Sequence, residues 1–339
     1  MLIFQALRTG FFDVVKEIKM KVAIVTDDGE KDISELLTKC TWSGDLSQAA
    51  RQLEFSFVQS TNTPAINVKS GSVVYGADDE GNLVFIGKVY QIENDRKASA
   101  VNITAYDNLY ILNKSKTTRK YTDALPEDIA VEICKEMNIA VGEIAKTGER
   151  VSFIANNRTG YQIIQGAYTE AHKKNEKIYQ CVMNGNKLSV IEQGELCGVI
   201  LDSSANMTES IYRESIENIV NRVLVVDDSG NAIGSAVEDS ESQAEYGIVI
   251  QSVYKEHKDK DSTEEAKDLI KKAERTGTVV AIGDYRAKTG YSLQINDANF
   301  AGKFYVKSDS HTFRNNSHEM RLKLEFENIM NEVTVEKPK

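Results

Sequence analysis

Of the four histidines, only His311 and His318 lie close together in the chain. They flank the polar stretch Arg314-Asn315-Asn316-Ser317, so a hairpin at that stretch brings them onto neighbouring strands. Two imidazoles make a weak metal site, because zinc takes three or four protein ligands and neither a cysteine nor a third histidine stands nearby. Hydrogen bonding at the strand ends is the stronger reading. Ser310 beside His311 does not make a nucleophile and base, since adjacent side chains of a strand point to opposite faces. His172, followed by Lys173 and Lys174, reads as a solvated helix end, and His257, within Lys255-Glu256-His257-Lys258-Asp259-Lys260, as an exposed linker.

Carboxylate pairs are the next candidates: Glu192 with Glu195, and Glu238 with Asp239 and Glu241. Glycoside hydrolysis needs two carboxyls roughly 5–10 Å apart across a cleft. Neither a cleft nor the aromatic lining of a sugar site is evident, so these read as solvated faces. Asp227-Asp228-Ser229-Gly230-Asn231 carries some calcium-loop chemistry but lacks the spaced terminal Glu. Cys40, Cys134, Cys181 and Cys197 are scattered among apolar neighbours without a Cys-x-x-Cys pair, as expected of free, mostly buried thiols. Gly-rich phosphate loops are absent. No catalytic, cofactor-binding or metal-binding residue is assigned, and no cofactor is expected.

Composition narrows the partners. Hydrophobic residues make up 41% of the 339 residues and charged residues 27%, which excludes disorder over most of the length and leaves room for two or three domains. A net charge of -10 argues against a surface that grips phosphates and against specific nucleic-acid binding. It fits simple solubility, or a wall along which a polyanion slides without sticking. No apolar run approaches the roughly 20 residues of a membrane span, and Arg8, Asp13, Lys16 and Glu17 interrupt the first segment too often for a signal peptide.

The elements that position these residues follow from periodicity. Phe4, Leu7, Phe11, Val14 or Val15, and Ile18 recur at helical spacing, so residues 1–19 are an N-terminal helix or an extension ahead of a start at Met20. Residues 20–116 alternate with period two, as in Leu53, Phe55 and Phe57, and predict a first small β-barrel or sandwich. Residues 117–200 form an α/β middle domain. Pro126 with Glu127 and Asp128 opens one helix, with Ile129, Ile133 and Met137 as its buried stripe. Thr159 with Gln162 caps a second, and Asn184-Gly185-Asn186 turns a hairpin. Residues 201–250 and 277–335 predict a second β-barrel. Between them residues 251–276 read as a helical insertion, with Ala266, Leu269, Ile270 and Ala273 as its apolar stripe. The expected class is α+β, mainly β.

The two β regions carry similar segments in the same order. Arg51-Gln52-Leu53 parallels Arg222-Val223-Leu224; Gly71-Ser72-Val73-Val74 parallels Gly277-Thr278-Val279-Val280; Phe85-Ile86-Gly87-Lys88 parallels Phe300-Ala301-Gly302-Lys303; and Val101, Ile103 and Ala105 parallel Met320, Leu322 and Leu324. Duplication of one barrel is the expectation. Gly87 and Gly302 are then equivalent bends, and Trp42, Leu53, Phe55, Phe57, Leu322, Leu324 and Phe326 are core.

Trp42-Ser43-Gly44-Asp45, Ala50-Arg51, Ala105-Tyr106-Asp107-Asn108-Leu109, and Ser308-Asp309-Ser310-His311-Thr312-Phe313 with His318 and Met320 together resemble the XkdQ/YqbQ family of phage tail baseplate hub proteins. The similarity runs from about Met20 to Asn331; residues 1–19 fall outside it. It implies two related β-barrels bracketing a smaller α/β domain. The expected role is a non-enzymatic baseplate hub of a contractile phage tail or tail-like particle, adapting a sixfold tube to a threefold spike. Expected partners are two further copies of the chain, the tail tube protein, the spike protein, and a baseplate wedge or LysM-like tail protein. The expected place is the virion or particle, after assembly in the bacterial cytoplasm. The alternatives are a peptidoglycan-degrading tail-associated enzyme and a glycan-binding β-barrel.

Overall fold

The computed structural model describes residues 20–59, 66–95, 99–256 and 262–337. The segment expected as an N-terminal helix and His257 lie outside the described residues. The protein is mainly β.

The first β region supplies β1 (Lys21–Thr26), β2 (Gly29–Asp32), β3 (Leu37–Asp45), β4 (Gln48–Val58), β5 (Val73–Ala77), β6 (Leu83–Asp95) and β7 (Ala100–Asp107). Alternation sets their faces: on β4, Leu53, Phe55 and Phe57 are buried while Glu54 and Val58 face out. Asp45 closes the β3–β4 hairpin by accepting from the Ser47 N–H at 2.8 Å.

The middle segment supplies α1 (Leu109–Lys114), β8 (Lys116–Ala124), α2 (Pro126–Glu136), β9 (Ala140–Ile144), β10 (Val151–Thr159), α3 (Gly160–Asn175), β11 (Tyr179–Asn184) and β12 (Lys187–Glu192). Pro126 occupies the first turn of α2 with Glu127 and Asp128 behind it. At α3 the Thr159 hydroxyl accepts from the Gln162 N–H and the Gln162 side chain accepts from the Thr159 N–H, both at 3.1 Å. The buried faces of both helices share one core with β10, β11 and β12.

β13 (Leu196–Asp202) and β14 (Met207–Ser215) follow. Residues 211–277 then form a compact unit of their own. In it β15 (Arg222–Val226) lies between β16 (Val237–Glu238) and β17 (Gln251–Lys255), accompanied by α4 (Ser240–Tyr246) and α5 (Ser262–Lys267). Val223, Val225 and Ala266 make its small core, flanked by Leu269 and Ile270. This inserted unit is wider than the expected 251–276, and its helix is shorter. The helix stops because the next residues tighten into a turn and Lys271 exchanges backbone hydrogen bonds with Val220 at 2.9 and 3.0 Å.

The chain closes with β18 (Glu274–Ile282), β19 (Ser292–Asn296), β20 (Ala301–Arg314) and β21 (Ser317–Glu325). The two β regions do not stand apart. One 13-stranded sheet runs β14-β18-β21-β20-β3-β4-β7-β6-β5-β1-β2, with β19 on β20 and β13 on β19. Antiparallel pairing of β3 with β20 joins the halves.

Within this sheet one strand order occurs twice. The order β3-β4-β7-β6-β5-β1 corresponds to β14-β18-β21-β20-β19-β13, and the strands follow the same chain order in both halves. Local detail agrees. Both β6 and β20 carry an irregularity, between Val89 and Gln91 and between Val306 and Ser308. Just before these points Val89 exchanges backbone hydrogen bonds with Gly71 and Ser72, and Val306 with Gly290 and Tyr291. Gly71 and Gly290 both adopt φ 90°, a left-handed conformation suited to glycine. The halves differ at β1–β5, which is antiparallel where β13–β19 is parallel.

This register corrects part of the expected repeat. The segments on β6 with β20 and on β7 with β21 fall on corresponding strands. Gly71, however, corresponds to Gly290, while Gly277 lies within β18, and Arg222 belongs to the inserted unit. A short Gly-x-Val-Val or Arg-led run specifies a half-buried strand but not its neighbours.

Phe55 sits mid-sheet, opposite Cys40 on β3 and Ile103 on β7, whereas Phe326 is only half-buried beyond β21. Phe55→Ala is expected to cost about 3–5 kcal/mol and Phe326→Ala clearly less, read from urea unfolding midpoints.

Candidate functional site

The polar residues that the fold brings together lie at the β3–β20 junction. Facing pairs across it are Asp309 with Gly44, His311 with Trp42 and Phe313 with Cys40. On β21 the partners of Asp309, His311 and Phe313 are Leu322, Met320 and His318. The irregularity at Val306–Ser308 keeps the phase, so Val306, Asp309, His311 and Phe313 all lie on the buried face.

Asp309 is the centre. Arg51, from β4, grips it with two hydrogen bonds, Nη1 to Oδ1 at 2.9 Å and Nη2 to Oδ2 at 2.5 Å. The Thr289 N–H and hydroxyl both donate to Oδ1 at 2.6 Å. The guanidinium carbon lies 3.9 Å from the centre of the Trp42 ring. Burial alone would push the Asp309 carboxyl up, but the charge and hydrogen bonds of Arg51, with Thr289, hold it below the usual carboxylate range. A Cβ at Gly44 would run into the Arg51 side chain, so glycine is needed there for space. Two donors in the cluster, Trp42 Nε1 and Arg51 Nε, have no hydrogen-bond acceptor among the described residues.

The histidines meet beside it. His311 Nε2 is 3.0 Å from the Ala287 carbonyl, and His311 Nδ1 is 3.0 Å from His318 Nε2. A carbonyl only accepts, so His311 carries its proton on Nε2, and its bare Nδ1 accepts from His318 Nε2–H. Burial holds both imidazoles below their ordinary range; the neighbouring His311 adds to the effect on His318, which is pushed down to about 3. A Cβ at Gly283 would occupy the space of the His318 ring. The hairpin that brings the pair together turns on Asn315 and Asn316, both with positive φ. Among the described residues no group of three His, Cys, Asp or Glu stands at metal-binding geometry.

Asp107 borders the cluster. It accepts from the Arg51 N–H at 3.1 Å and the Leu109 N–H at 3.0 Å. Burial raises its carboxyl to about 7 despite these bonds and the Arg51 charge. A small cleft opens beside Arg51, lined among others by Gly44, Gln180, Lys288 and Tyr291.

Of the residues expected as core, Trp42, Leu53, Phe55 and Phe57 are buried in the first region, and Leu322 and Leu324 in the second. Phe326 is half-buried, edge-on to Phe304 with centroids 4.9 Å apart. Gly87 and Gly302 are not at matching places: aligned on the two irregularities, Gly87 corresponds to Phe304. Gly87 is in a crowded spot against Phe85 and the Tyr106 carbonyl, while Gly302 has φ 127° and open space around it.

The other candidates have structural partners. Glu192 pairs with Lys177 and Glu238 with Arg222. Asp239 caps α4, accepting from the Ser242 N–H at 3.1 Å. Asp227 accepts from the N–H groups of Ser229 and Asn231, both at 2.8 Å, as a turn residue does. His172 Nδ1 is 2.9 Å from the Lys177 carbonyl at the end of α3. Cys40, Cys134 and Cys181 are buried and free, and Cys197 is free and half-buried.

A family model described as YQBQ-like matches residues 40–325. The phage-like element PBSX protein XkdQ of Bacillus subtilis (strain 168) is 24% identical over 309 residues, covering 84% of this chain and 91% of that protein. A solved 43 kDa tail protein of prophage MuSo2 from Shewanella oneidensis superposes with TM-score 0.66 at 12% identity, over 90% of this chain and 98% of its own. The Escherichia coli protein c3393, described as a type VI secretion system component with structural similarity to the T4 tail proteins gp27 and gp5, superposes with TM-score 0.53 at 8% identity, over 89% of this chain and 76% of its own.

Two expectations follow. Arg51→Met strands a buried carboxylate and should cost about 3–5 kcal/mol, whereas Arg51→Met with Asp309→Leu should recover most of that, measured by urea unfolding. For pH, an unfolded histidine titrates near 6.5 while folded His318 titrates near 3. The unfolded chain therefore binds the extra proton, and this stability is complete above about 6.5 and lost as pH falls towards 3. Asp107 has the opposite sign: its stability is complete below about 4 and lost as pH rises through 7. Unfolding midpoints across pH 4–8 should show His318→Gln reducing the acid-side loss, to which His311 and Asp309 also contribute, and Asp107→Asn removing the fall between 4 and 7.

Proposed function

Because the chain belongs to the YQBQ-like family, we propose that it is a structural component of a phage tail baseplate, the hub at which tube and spike meet. The observation that carries this reading is the strand order that occurs twice in one chain. Its two halves are taken as copies of one barrel, with the α/β segment between them and the unit 211–277 inserted into the second.

Three copies of such a chain in a closed threefold ring present six similar halves. One face of the ring then fits a sixfold tube, and the other keeps the threefold character of a spike. The role needs no chemistry. The buried Arg51–Asp309–His311 cluster locks the halves of each subunit together, so that load passes across the sheet. A net charge of -10 suits a channel through which a polyanion moves without adhering. The particle, phage or tail-like, is assembled in the cytoplasm of the host cell.

The purified protein is expected to scatter light with three times the 37.8 kDa protomer mass and to appear as rings in electron micrographs. It is expected to bind the tail tube protein of the same particle. Monomers or closed dimers that retain neither tube nor spike protein would count against the hub.

A further inference from the structure

The inserted unit 211–277 packs its small sheet on one face only. Val223 and Val225 of β15 turn inward to Ala266 of α5, and their partners Ser252 and Tyr254 on β17 share that inner face. The alternate residues make the opposite face, where Leu224 and Val226 lie beside Val253 and Lys255. Arg222 pairs with Glu238 at 3.1 Å at one end of it, and Lys255 with Asp228 at 3.0 Å at the other. An apolar centre between two closed ion pairs has the make-up of a protein contact and leaves no net charge to match.

The edge beside this face is open. In β17 the Ile250 carbonyl accepts from the Arg222 N–H at 3.2 Å, and next to the strand the Glu256 N–H donates to the Val226 carbonyl at 2.9 Å, both towards β15. Main-chain groups alternate sides along a strand, so those of Gln251, Val253 and Lys255 point away from β15, where no described strand pairs with them. The approach to this edge is apolar: Ile248, Val249, Ile250 and Val253, four within six residues, are between 37% and 55% exposed. It is also rigid. The buried Asn221 side chain donates to the Ile248 carbonyl at 3.0 Å and accepts from the Ile250 N–H at 2.8 Å, which holds the backbone under three of those side chains. A segment already fixed in place loses little further freedom on binding.

We propose that the open edge of β17 receives an extended, uncharged segment of a different tail protein as a fourth strand, with alternate apolar side chains lying towards Val253 and Leu224. The proposal rests on the tail reading above and adds a docking edge to it. A second copy of this chain does not fit. Pairing β17 with β17 is isologous and needs a twofold axis, which a threefold ring lacks, and pairing β17 with β16 of a neighbour would meet a strand of two residues. Main-chain hydrogen bonds supply the affinity, and the apolar face selects the partner.

Purified tail particles and the free full-length protein provide the test. In particles the amides of Gln251, Val253 and Lys255 are expected to exchange with deuterium about tenfold more slowly than in the free protein. With benzoylphenylalanine in place of Val253, irradiation of particles is expected to join that position to one sequence in a tail protein other than this chain. Val253→Pro removes an outward N–H and keeps the bonds to β15, so a variant folded by circular dichroism is expected to lose the protection at Gln251 and Lys255. If particles contain the chain but the crosslink runs to another copy of it, or the amides exchange as fast as in the free protein, strand addition at β17 is wrong while the tail reading stands. If the chain is absent from particles, the tail reading itself fails, and this contact with it.

Discussion

The grip of Arg51 on Asp309, between residues 258 positions apart, is the constraint on which the sheet depends. Side-chain period is two along a strand, so a slip of β20 by one residue against β3 would turn His311 and Asp309 outward and leave the Arg51 charge buried without its partner. Apolar pairs would tolerate such a slip far better. The cluster is not built for maximal stability, since Trp42 Nε1 and Arg51 Nε are left without acceptors and a buried ion pair gains little over apolar packing. What it supplies is register between the two halves of the sheet.

The same joint explains why the second half accepts a large insertion. In the first half β3 and β4 are linked by a tight turn at Leu46 and Ser47; at the corresponding place, between β14 and β18, the chain carries residues 216–273, most of the inserted unit. A hairpin turn is a place where a chain tolerates insertion. Lengthening it costs closure entropy that grows only slowly with length. The inserted unit brings its own core around Val223, Val225 and Ala266, so its folding draws little on the sheet.

Strands, helices and turns were legible because their signals are local. The capping box at Thr159, the Pro126 start and the alternation through Phe55 each fall within a few residues. Pairing was legible only in part. Val101, Ile103 and Ala105 did align with Met320, Leu322 and Leu324, where a long alternating run leaves few registers. The glycine match failed because a single left-handed residue can sit before any strand: Gly71 finds its counterpart in Gly290, not Gly277. Arg51, Asp107 and Asp309 stood in the segments that carried the family resemblance, but nothing in their spacing joined them to one another or to Thr289. The histidine pair was legible as a hairpin contact, but its third partner is the Ala287 carbonyl, which no side-chain motif announces.

The ends of the sheet are treated differently, and that difference bears on function. β2 is four residues long and carries Glu30, Lys31 and Asp32, the short and charged edge by which a soluble protein discourages strand addition. β14 is nine residues long and leaves Ile211 and Tyr212 in contact with solvent. An edge that long offers more backbone to a further strand than β2 does, although Glu209, Arg213 and Glu214 place charge on it as well. The two ends of the sheet therefore differ in how much backbone they offer to a further strand: four residues at β2, nine at β14.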